Sequence, residues 1–220
     1  ERERRRTNPS DPLWYGICEG WTAASLLFSE PGAFDLKLRN GLTLPFAASD
    51  IKALLSYGES QFNPGVSRSI GSRCNSSGNS DECWDTNPGS FHIILGNYIA
   101  DKKQSFAMDV EKDAEVWNQP VFAYDSRLVR SNTINRNAAV GTVSELIATT
   151  TVWYIQESAP QYNRLSKPVM KSKTFKYSLE LNRYNNIIGG EWISHDRPDF
   201  LWLPKSSNFS RSGYYSEVER

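Results

Sequence analysis

The sequence predicts an α+β fold in a single domain. Three observations carry this reading. Helix-period segments fall within the first sixty residues, strand-like β-branched and aromatic segments follow from residue 91 onward, and no internal repeat occurs. With 220 residues, the chain buries roughly 70% of its unfolded surface on folding, so its core needs no structural metal. Apolar residues at 39% and charged residues at 23% exclude a disordered chain. Lys plus Arg and Asp plus Glu both number 25, giving zero net charge. A general nucleic-acid binder carries a basic excess, so no nucleic-acid partner is expected. No apolar run approaches the ~18 residues of a membrane span, and none is expected.

The elements follow in order. Residues 1–10 open with ERERRR, read as a disordered basic arm or as the site where a propeptide was removed, and residues 11–220 form one catalytic domain. There is no initiator Met and no signal peptide, so Glu1 is read as a processing or artificial boundary. Asn8, Pro9, Asp11 and Pro12 make a turn-rich entry, because proline keeps its predecessor out of the helical region. GICEGWTAASLLFSE then reads as a helix, with Trp21, Ala24, Leu27 and Phe28 at three- and four-residue spacing and Trp21 as a core residue. A second helix is expected over residues 49–57, with Ser49 or Asp50 as N-cap and Gly58 as C-cap. Residues 59–90 read as loop. Residues 91–99 (FHIILGNYI) and 116–124 (VWNQPVFAY, broken by Pro120) read as strands, as do the Thr-rich second half of 142–157 and the alternating 175–181. Asn185 and Asn186 mark a hairpin turn into IIGGEWI.

The three cysteines divide unequally. Cys74 and Cys83 bracket the polar loop CNSSGNSDEC, and a disulfide closing it contributes roughly 2–3 kcal/mol in the chain-entropy model. Such a bond implies an oxidising compartment and hence a secreted protein, in which Asn75 and Asn208 would be glycosylation sequons. Two histidines and no CxxC pair argue against zinc. Cys18 is left as the odd thiol. It stands where a turn-rich loop becomes a helix, and the unpaired N–H groups at a helix start stabilise an anion there. Gly16 and Gly20 flank it and leave room for a substrate backbone. A small buried hydrophobe is the competing role. An imidazole partner must be His92, in an apolar segment, or His195, in the polar loop WISHDRPDF that reads as exposed. Asn118 is the candidate to orient the imidazole, with a turn-capping role as the alternative and Asp125 or Asp109 next in line.

WYGICEGW resembles the active-site segment of papain-like and transglutaminase-like enzymes, in which Cys opens a helix and Trp follows closely. The chain order Cys18, His92, Asn118 matches the papain-like order. Val116 to Val121, VWNQPV, resembles the start of the elicitor peptide of the oomycete cell-wall transglutaminases. FAYDSRL then departs from that peptide, as a more distant, bacterial relative would. The resemblance covers most of residues 11 to 204. It implies a papain-like or transglutaminase-like fold with helices first and an antiparallel sheet after them. It also implies a secreted transglutaminase with catalytic Cys18, His92 and Asn118, acting on proteins that bear Gln and Lys. Cys18 would attack a glutamine carboxamide, and a lysine amine would take the acyl group, with His92 moving the protons. The Cys18 N–H and the indole N–H of Trp14 or Trp117 would hold the oxyanion. Calcium is the implied cofactor. Asp81, Glu82 and Asp85 are carboxylates for it, but no EF-hand pattern assigns them. Recognition of VWNQPV by a plant receptor is the further implied partnership. A cysteine protease or glutamine deamidase, and a non-enzymatic elicitor module, are the other readings.

Overall fold

A computed structural model describes residues 16–61, 66–73, 84–112, 115–156 and 167–205. The arm at residues 1–10, Trp14, Cys74 and Cys83 with their expected disulfide, Asp81, Glu82 and both sequons lie outside the described residues.

The fold is α+β with antiparallel sheets and few helices, but the helices do not simply precede the strands. Helix α1 (Cys18–Leu27) is followed by the short strands β1 (Phe34–Lys37) and β2 (Thr43–Phe46), which pair only with each other. Helix α2 (Ala48–Gln61) runs further than expected. Its start is held by Asp50, whose carboxylate accepts the Ala47 N–H at 2.9 Å, half of a capping box. Gly58 does not end the helix; it is buried within it. Strand β3 (Val66–Gly71) occupies part of what reads as loop.

Residues 91–99 are helix, not strand. Helix α3 (Pro88–Ile94) continues into a π-helical segment, Leu95–Asp101. The cause is local: Asn87 caps the N–H groups of Gly89 and Ser90, and Pro88 sits where a helix tolerates it. Phe91, Ile94, Leu95 and Tyr98 face the core at helical spacing, so the β-branched and aromatic composition alone misreads the segment.

Six more strands follow: β4 (Phe106–Asp109), β5 (Asn118–Arg130), β6 (Ser144–Gln156), β7 (Val169–Leu181), β8 (Ile187–Trp192) and β9 (Phe200–Pro204). Among the described residues they join β3 in a seven-stranded sheet of order β3-β9-β4-β5-β6-β7-β8. Pro120 does not break β5. It pairs with Ala107 of β4 before pairing with β6 begins at Val121, so its missing N–H costs no ladder bond on that side, and a bulge follows at Val121/Ala123.

The two faces of the sheet bury different things. Phe106, Met108, Val121, Phe175 and Tyr177 form the main core with Phe91 of α3. Alternation turns Ala107 to the other face, where Ala23 of α1 and Trp202 of β9 pack on it. Helices α1 and α3 therefore lie on opposite faces of one sheet. No helix among the described residues is long and apolar enough to cross a membrane.

Candidate active site

Cys18 is half-buried at the first position of α1. The first helical bond runs from Trp21 N–H to Ile17 C=O, and Ile17 supplies no side-chain cap. The opening N–H groups of α1 thus have no partner within the helix, and Cys18 carries the first of them. Gly16 lies in open space on one side of it. Gly20 does not serve substrate access, because Ser56 and Ser60 of α2 fill the space a Cβ would need.

The Cys18 thiol donates to the Val116 carbonyl at 3.4 Å, and the Asn118 Nδ2 lies 3.5 Å from the sulfur. Asn118 begins β5 opposite Asp109 of β4, and cross-strand partners share a face, here the α1 face. Two side chains hold Asn118. The Thr22 hydroxyl donates to its carbonyl at 2.8 Å, and the Trp202 indole N–H donates to its Oδ1 at 2.7 Å. Asp109 Oδ1 accepts the Trp117 N–H at 3.1 Å, fixing the peptide group whose carbonyl receives the thiol. Thr22 lies one turn from Cys18 on the same helical stripe, a spacing legible in the sequence. Trp202 gives no such signal.

The structure brings Cys18 and Asn118 together but places His92 elsewhere. His92 stands on α3, on the other face of the sheet, with Nδ1 2.8 Å from the Tyr177 hydroxyl. That hydroxyl contacts Thr150 Oγ1 at 2.8 Å, which contacts Ser126 Oγ at 2.6 Å. Ser126 is eight residues beyond Asn118 on β5, about 25 Å along the strand. Burial lowers the His92 pKa, favouring neutral imidazole, and pushes the Tyr177 hydroxyl up to about 12. His195 is exposed and lies 3.9 Å from Asp196. Asp125 is exposed along β5.

Trp117 does not present its indole N–H to the thiol; Glu115 accepts it at 2.9 Å. Trp21 is only half-buried, and it lines a mainly apolar cavity of about 470 Å³ with Ile17, Phe28, Leu55 and Ile155. Asp85 pairs with Arg197, and no three metal-ligating side chains converge among the described residues. Of VWNQPV, Asn118 to Val121 are buried and Val116 and Trp117 are half-buried.

The transglutaminase elicitor family model matches residues 2–213, and the chain belongs to that family. The crystal structure of the GP42 transglutaminase from Phytophthora sojae is similar, with a TM-score of 0.68 and 26% sequence identity over 95% of this chain and 62% of that one. The chain thus spans less than two thirds of that structure's length. No curated protein matches the chain. The protein is transglutaminase-like in family and fold.

Proposed function

We propose that the protein is a secreted protein-glutamine γ-glutamyltransferase with Cys18 as its nucleophile. The observation that carries this reading is a half-buried thiol at an uncapped helix start, with an amide donor 3.5 Å from its sulfur. Cys18 sulfur bonds to the carboxamide carbon of a protein glutamine, and the C–N bond breaks. The nitrogen leaves as ammonia, carrying the proton that the thiol gives up. A lysine amine then attacks the thioester; the C–S bond breaks and the amine's proton returns to the sulfur. Family membership and the likeness to GP42 support the substrate class. Secretion rests on the expected disulfide between Cys74 and Cys83 and on the family's description as elicitors.

His92 carries no proton in this scheme, since the sheet lies between it and Cys18. The test is incorporation of a fluorescent primary amine into a glutamine-bearing protein. Labelled product that disappears in Cys18→Ala is the expected result. Conversion of Gln to Glu in excess amine, or cleavage of the peptide backbone, would assign the same thiol to a hydrolase.

A further inference from the structure

We propose that the side-chain amide of Asn118 is the second oxyanion donor and that Trp202 is its positioning residue. This rests on Cys18 being the acylated nucleophile. An indole N–H can only donate, so Trp202 bonds the oxygen of the Asn118 amide and fixes which way the amide faces. Its nitrogen is thereby left toward Sγ. Thr22 secures the backbone of the same residue, and both Asn118 and Trp202 are buried, at 4% and 7% exposure. The donor is therefore aimed before substrate arrives.

The chemistry favours this role over holding the resting thiol. A neutral N–H···S contact at 3.5 Å is weak. When sulfur bonds to the carboxamide carbon, the carbonyl π pair moves onto oxygen, one bond beyond the sulfur. An N–H then meets an anion, and such bonds shorten to about 2.7–2.9 Å and roughly double in strength. The contact is stronger in the transition state than in the ground state, which is the condition for it to accelerate the step. On collapse the pair returns to carbon and the C–N bond breaks. The other donor is the Cys18 N–H at the start of α1. Among the described residues Trp117 is engaged by Glu115, and His92 bonds Tyr177 on the other face of the sheet, which leaves Asn118 as the side-chain amide beside the thiol.

Two reactions of the same thiol separate this role from a structural one. Acylation of Cys18 by p-nitrophenyl acetate passes through an oxyanion; alkylation by iodoacetamide does not. Asn118→Ala is expected to slow acylation about 10²–10³-fold and to leave alkylation near the wild-type rate. Asn118→Asp, which keeps the shape and removes the donor, should match it. If Asn118→Ala does not fold, Asn118→Asp and Trp202→Phe carry the test. Trp202→Phe should slow acylation about tenfold, the loss of one positioning hydrogen bond, and should add nothing to Asn118→Ala in the double variant. Acylation that stays at the wild-type rate, or alkylation that falls in step with it, overturns the assignment. A wild-type chain that is acylated at Cys18 but incorporates no amine refutes the crosslinking reading alone.

Discussion

Cys18 gains its setting from one peptide group and one amide, not from an imidazole. The Val116–Trp117 peptide is held by Asp109 on its N–H side and receives the thiol on its carbonyl side. His92 belongs to a different network, the hydroxyl chain through Tyr177, Thr150 and Ser126. Its pKa in the fold is lowered by burial, so the unfolded chain binds a proton more readily just below pH 6.5. Stability from this group is fully present above that pH and falls as the pH drops toward the native pKa. His92→Gln should therefore flatten the acid side of the melting-temperature profile while keeping most amine incorporation. Loss of turnover with an unchanged pH profile would return His92 to the catalytic machinery. An imidazole in an apolar segment calls for a polar partner, but nothing in the sequence marks it as a tyrosine 85 residues away.

Helix α1 can place its first residue against β5 because Gly20 lets α2 come close. A Cβ there meets Ser56 carbonyl and Ser60 backbone and side chain. Gly20→Ala should cost about 1–3 kcal/mol through overpacking, read as a lower urea midpoint. Because α1 carries the thiol, the same variant should alter the Cys18 alkylation rate. A midpoint at or above the wild-type value would show that α2 yields without strain. The start of α1 was legible in GICEGW followed by a helical stripe, as was α2 in its acidic first turn. Helix α3 was not, because its β-branched and aromatic composition reads as strand, although Phe91, Ile94, Leu95 and Tyr98 meet the core at three- and four-residue spacing. The informative signal lay just upstream, in Asn87 and Pro88.

The sheet is also drawn together across its width. Thr86, fully buried, donates its N–H to the Asp199 carbonyl beside β9 and its hydroxyl to the Asp199 and Ile70 carbonyls, while the Trp192 indole N–H of β8 donates to the Thr86 carbonyl at 2.8 Å. One residue thus ties the β3–β9 edge to the β8 edge. Thr86→Val keeps the volume and both backbone bonds and removes only the hydroxyl contacts to Asp199 and Ile70, and should cost about 1 kcal/mol; calorimetry showing an unchanged melting temperature would deny the hydroxyl a part in the tie. The antiparallel character of the second half was legible from β-branched and aromatic runs. The strand order was not, and with it went the knowledge that the sheet separates Cys18 from His92. Trp202 and Asn118 meet across 84 residues for the same reason. The central claim is that Cys18 carries the acyl group. Acid-quenching the protein with a glutamine peptide in the absence of amine, then mapping the adduct by mass spectrometry, tests it most directly. The expected result is an acyl mass, peptide minus ammonia, on the Cys18 fragment; an adduct on Cys74 or Cys83, or turnover that persists in Cys18→Ala, would contradict it.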